Sequence, residues 1–178
     1  MTGFGGTIRS VLDRLYFGSG VIAALFLIAI LTLIVVQMLA RWTGEVFSGA
    51  PEYAGYCMAA ASFFAFAHAL NRGSHIRVSI LLNAVGPRMK HALEIWCFAI
   101  ATSLGWYFTY YATKATYWSW KFKDISQGQD ATALWIPQMS MVIGSTIFAI
   151  ALTDHLVHVI LSGDHRIKSD IVEQSHGE

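Results

Sequence analysis

The sequence predicts an all-α integral membrane protein with four membrane-spanning helices and both termini in the cytoplasm. Three observations carry the prediction. Of 178 residues, 55% are hydrophobic and 13% charged, against roughly 25% charged in soluble domains. The charges gather in short islands that separate four runs free of Asp, Glu, Lys and Arg, at 15–40, 53–71, 95–113 and 131–153. Each run reaches the roughly 20 residues that cross a ~30 Å hydrocarbon core at 1.5 Å per residue. The basic residues then orient the chain. Arg9, Arg14, Arg72, Arg77, Arg88, Lys90, Arg166 and Lys168 fall on the side of the termini, against Arg41, Lys114, Lys121 and Lys123 on the other. Basic residues favour the cytoplasmic side.

Spans are expected at about 16–40, 52–70, 92–113 and 133–154, as one membrane domain over 1–160, with 161–178 a polar, mobile cytoplasmic tail. Ahead of the first span, Ile8, Val11, Leu12, Leu15 and Tyr16 recur at helical spacing, with Arg9, Asp13 and Arg14 on the opposite side. That pattern fits an amphipathic helix in the membrane interface, or equally an extension of the first span. The apolar run is far longer than a signal-peptide core, so the segment is expected to stay on the protein. Arg41-Trp42 closes the first span as an interfacial anchor. Pro51 and Glu52 open the second, where proline suits a first turn and an acid suits the positive end of the helix. The short link places Arg41 and Glu52 at one membrane face, and an ion pair between them is expected.

The second span carries small residues at Gly55 and Ala59 and at Ala61, Ala65 and Ala69, a stripe that permits close helix packing. A compact basic turn follows, Asn71-Arg72-Gly73-Ser74-His75-Ile76-Arg77-Val78, with the apolar residues after it returning to the interface. Gly86-Pro87 marks the third helix. It leaves the membrane through an aromatic belt of Trp106, Tyr107, Tyr110 and Tyr111, and continues with a surplus of aromatics and cations at Trp118, Trp120, Lys121, Phe122 and Lys123. After a loop tip around Gly128, Trp135-Ile136-Pro137 starts the fourth span, with Pro137 in its first turn.

Composition excludes several functions. A net charge of +1 without a dense Lys/Arg patch gives no footprint for nucleic acid. Five histidines, His68, His75, His91, His155 and His158, fall near the cytoplasmic face, but only His68 lies inside a span. No second histidine opposes it for haem, and no cysteine or carboxylate completes a metal set; interfacial histidines are the simpler reading. Cys57 and Cys97 sit at opposite depths, which argues against a thiol-oxidising enzyme and for packing roles. Glu52 is the acid nearest the membrane and, with Arg41, reads as structural. No span is broken by paired Gly or Pro at mid-depth, so no unwound segment offers a substrate site. Nothing points to catalysis, and the chain reads as a subunit of something larger.

Over about residues 10–160 the chain resembles the small permease subunit, the DctQ type, of tripartite ATP-independent periplasmic (TRAP) transporters. The resemblance rests on Arg41-Trp42 and Glu52, on the turn Asn71-Arg72-Gly73-Ser74-His75-Ile76-Arg77-Val78, and on Ala133-Leu134-Trp135-Ile136-Pro137. Trp42 stands where the family often has Tyr, and Ser79 where it often has an acid. The resemblance implies a bacterial inner-membrane complex. In it a periplasmic binding protein delivers an organic anion to a large permease driven by a sodium gradient, and the small subunit packs on the large one's scaffold. It further implies that Arg41 and Glu52 secure the periplasmic helix ends. Arg72, His75 and Arg77 anchor the cytoplasmic turn to lipid headgroups or the large subunit. From the surplus of aromatics with lysine, and not from the resemblance itself, Trp118, Trp120, Lys121 and Lys123 are expected near the docking surface of the binding protein. No cofactor is implied for this chain, since sodium belongs to the large subunit. The competing reading is a haem-binding anchor of a respiratory oxidoreductase, with His68 as the ligand.

Overall fold

The computed structural model describes residues 4–45, 48–71 and 87–162. They form four helices, α1 (Phe4–Thr43), α2 (Ala50–Asn71), α3 (Pro87–Phe122) and α4 (Trp135–Ser162). The basic turn with Arg72, His75 and Arg77, and the tail from 163 onward, lie outside the described residues. Between α3 and α4 the chain folds back through a single antiparallel bridge, Ile125 to Ala133.

α1 is continuous over 40 residues, which resolves the choice left open at its start: the amphipathic segment is an extension of the first long helix. At 1.5 Å per residue such a helix measures about 60 Å, twice the hydrocarbon thickness of a bilayer. Among the described residues, three helices are long and apolar enough to cross a membrane by length and composition: α1, α2 and α4. α3 has the length, at 36 residues, but its hydroxyls, its Tyr and Trp residues and Lys114 keep it out of that set.

Both long upward helices end in the same hydrogen-bonded cap. In α1 the Gly44 N–H donates to the Arg41 carbonyl and the Glu45 N–H to Ala40; in α3 the Lys123 N–H donates to Trp120 and the Asp124 N–H to Ser119. These are the paired bonds of a Schellman cap, which needs a left-handed residue just past the helix. Gly44 supplies it at φ +82°, whereas Lys123 adopts φ +54° with a side chain. α4 opens with Ile136 and Gln138 donating to Ala133 and Leu134. Pro137, in this first turn, gives up an N–H that would have had no partner inside the helix.

The helices form an open row, not a closed bundle. α1 packs on α2, α2 on α4, and α4 on α3, while α1 and α4 barely touch. Ring contacts mark two of the seams, Phe26 stacked on Phe64 at 6.1 Å and Phe66 tilted against Phe148 at 5.6 Å, while Phe63 on α2 stacks on Phe108 of α3 at 5.8 Å. Side chains of all four helices come together near the start of α1 and the end of α4, the terminus end. There Tyr16, Ala67, Leu70, Ala151 and Leu152 are buried together, with Leu12, Phe98 and Ala101 against them. Elsewhere the row leaves apolar side chains uncovered on both faces, Leu27, Leu31, Met58, Leu104 and Tyr110 among them. Such surface is unstable in water and at home in lipid or against a partner.

Candidate interaction surface

The opposite end, the loop end, is built by folding residues 123–134 onto the start of α2. The Tyr56 hydroxyl lies 3.0 Å from Asp130 Oδ2 and 2.9 Å from Ser126 Oγ. A carboxylate only accepts, so Tyr56 donates to Asp130 and takes Ser126 as its other partner. The Gly128 N–H donates to Ser126 Oγ at 3.1 Å, and Thr132 Oγ1 reaches the Tyr53 hydroxyl at 3.4 Å. Hydrogen bonds from Thr132, then Ser126 and Tyr56, hold the Asp130 carboxyl below the ordinary carboxylate range, against the opposing effect of burial.

Glu52 belongs to this latch. A Cβ on Gly128 would lie 2.7 Å from Glu52 Cγ and 2.9 Å from its Oε1, so the acid is turned toward the loop. The expected ion pair with Arg41 is not formed. Among the described residues the one ion pair within 4.0 Å is Arg9 with Asp13, at 3.8 Å. Arg41 is exposed beside Trp42, which is 80% exposed. The helix end is therefore held by backbone caps and the loop latch. An exposed ion pair would add little to either.

The aromatic and cationic surplus at the end of α3 is one connected patch. Trp118 stacks on Phe122 at 5.3 Å, and Tyr117 contacts both Trp118 and Trp120. Lys121 Nζ sits 4.9 Å above the Trp118 ring. Trp120 and Phe122 are mostly exposed. Of the aromatics expected as a belt lower on α3, Trp106, Tyr107, Tyr110 and Tyr111 are all exposed. The Trp106 indole N–H donates to Thr153 Oγ1 at 3.1 Å, sixteen residues and about 24 Å below Phe122, beside the last turns of α4.

The small-residue stripe of α2 divides in two. Ala61 is buried inside the chain and Ala65 and Ala69 are half-buried, beside the buried Ala60 and Ala67 that the stripe did not include, but Ala59 is exposed and a Cβ on Gly55 would meet nothing within 4 Å. The closest helix approach is at a residue the stripe did not include. A Cβ on Gly144 would fall 2.7 Å from the backbone carbon of Phe63, so α2 and α4 touch backbone to backbone. Gly20 on α1 likewise makes room for the His68 ring. Lone glycines in long apolar runs were the available signal, but their partners were not legible.

His68 is committed to α1. Its Nδ1 lies 3.3 Å from the Tyr16 carbonyl and its ring meets the edge of Phe17. The haem reading finds no support among the described residues. His155 is buried against Phe98. Among the described residues no three His, Cys, Asp or Glu side chains converge as metal ligands, and Cys57 and Cys97 are free thiols.

Long apolar helices in an open row, with a polar latch at one end and exposed faces in place of a reactive cleft, define a membrane-embedded helical subunit. A comparison with family models gives the family: the model of the DctQ component of tripartite ATP-independent periplasmic transporters matches residues 30–161. The chain belongs to that family, which is one of transporter components, not enzymes. A comparison with curated proteins found no match.

Proposed function

We propose that the protein is the four-span small membrane subunit of a sodium-driven, binding-protein-dependent TRAP transporter for organic anions, with both termini in the cytoplasm of a bacterial cell. The observation that carries this reading is the open row: its uncovered apolar faces need both lipid and a larger membrane partner. α3 serves as the remaining span because its hydroxyls turn inward. Ser103, Thr109, Thr113 and Thr116 donate to the carbonyls of Ala99, Gly105, Thr109 and Ala112. Bonded this way, they present little unpaired polarity to hydrocarbon. The uneven basic residues support the orientation.

In this reading the open Gly55–Ala59 face of α2 receives a helix of the large permease, since small residues let backbones approach where both sides are already in lipid. Arg72, His75 and Arg77 anchor the cytoplasmic turn to headgroups or to the large subunit. Trp118, Trp120, Lys121 and Lys123 form the surface on which the periplasmic binding protein settles, an aromatic centre rimmed by cations. The chain binds no cofactor, and sodium is handled by the large subunit.

Mild-detergent purification of the tagged chain should recover a large hydrophobic membrane protein in equal amount, identified by mass spectrometry. Recovery of flavin or iron–sulfur subunits would overturn the reading. Gly55→Leu should reduce that recovery while leaving the chain's own thermal midpoint unchanged. The double charge reversal of Lys121 and Lys123 should lower uptake at low salt more than at high salt. Equal uptake at both would remove the docking role.

A further inference from the structure

α3 and α4 part near the loop end and leave a groove of about 310 Å³, walled by Thr116, Tyr117 and Trp120 on one side and Trp135, Met139 and Val142 on the other. We propose that this groove holds an acyl chain of one phospholipid, bound more durably than the surrounding lipid. The inference rests on the membrane-spanning reading of α3 and α4, and not on the docking or packing surfaces.

Size selects the class of occupant. A helix with its side chains is about 10–12 Å across, so 310 Å³ would admit only about 4 Å of one, less than a single turn. A hydrocarbon chain fits such a slot. The wall is apolar in effect, because the Thr116 hydroxyl is spent on the Ala112 carbonyl at 2.9 Å. An apolar slot in a bilayer stays filled, since leaving it empty forfeits contact on both walls.

The rim supplies the other half of a phospholipid. Trp120 and Trp135 each carry an indole N–H with no hydrogen-bond partner among the described residues. Indoles at this depth donate to ester or phosphate oxygens. Lys121 follows Trp120, with its ammonium held over the Trp118 ring, and a cation there complements a headgroup phosphate. The apolar slot, the two donors and the cation succeed one another along the helices in the order of an acyl chain, a glycerol ester and a phosphate.

The test counts phospholipid retained by the full-length chain after detergent washing, by native mass spectrometry. The wild type should keep one phospholipid per chain. Met139→Trp and Val142→Phe fill the groove and should each lower retention about tenfold, as expected when a few methylenes lose their burial. Leu31→Trp, on the exposed face of α1, should not. Unchanged retention in both filling variants would overturn the proposal. So would unchanged retention with lost recovery of the large membrane protein, which would show that a partner's side chain fills the groove. Should either variant misfold, the wild type suffices: phosphatidylcholine with brominated acyl chains, added at one equivalent, should quench Trp120 and Trp135. Their share is read from Trp120→Phe and Trp135→Phe. No quenching beyond that of detergent-diluted lipid would equally overturn the proposal.

Discussion

Gly144 and Asp130 are two positions where the local geometry predicts a measurable effect on stability. At Gly144 the backbone of Phe63 already occupies the space that a Cβ would need, and neither helix can yield without moving the other. Gly144→Ala should therefore destabilise the chain by about 1–3 kcal/mol, the usual cost of overpacking. Gly18→Ala, where a Cβ meets nothing within 4 Å, should be neutral or gain up to about 1 kcal/mol from helix propensity. Unfolding in mixed micelles compares the two, and equal effects would sink the close-approach account. Asp130 is the other position. Its carboxyl sits lower in the folded protein than in the unfolded chain because Thr132, Ser126 and Tyr56 bond its charged form. Its stabilisation is thus present above about pH 4, the ordinary carboxylate value, and is lost as pH falls through the lowered folded value. Asp130→Asn should lower the thermal midpoint at neutral pH, and the gap to wild type should close on acidification. A gap independent of pH would mean that the charge plays no part.

At the level of elements, the two Schellman caps offer a matched comparison. Gly44 and Lys123 hold the same position in the same motif, at φ +82° and +54°, but only one of them lacks a Cβ. Gly44→Ala should cost about 1 kcal/mol and Lys123→Gly should return a similar amount, since left-handed backbone strains an L-residue by roughly that much. Opposite shifts in thermal midpoint are expected; shifts of one sign would show that tertiary contacts of the loop, not the caps, set the helix ends. A lysine in a position favouring glycine fits the role proposed for Lys123 in the docking surface, where a cation has a use that a cap does not require.

For the whole molecule, the prediction concerns order. An open row places α2 between α1 and α4, and α4 between α2 and α3. With Cys57 and Cys97 replaced, cysteine pairs at Phe26/Phe64 and Phe66/Phe148 should join through a short thiol cross-linker, following the ring contacts at 6.1 and 5.6 Å. The pair Phe26/Phe108 should not. Ready cross-linking of that third pair would close the row into a bundle and remove the main reason for expecting a partner on its faces. A row also explains why a chain of this size needs a larger complex. Its own seams bury small residues and a few rings, and most of its apolar surface is left for lipid and for another subunit.

The helices were legible in the residues alone, because long uncharged runs, flanking charges and Pro or Gly punctuation are local signals. The start of α4 at Trp135, the proline in its first turn and the aromatic, lysine-bearing end of α3 were all legible in that way, as was the family. Pairing was not. Whether Glu52 faces Arg41 or the loop at Gly128, whether Gly55 or Gly144 carries the close approach, and that the Trp106 indole finds Thr153 depend on residues tens of positions apart. In a membrane, helices are apolar on every side, so no amphipathic stripe announces the face that packs. Tertiary structure made those choices through small residues and backbone contact, which leave almost no trace in the pattern of any single helix.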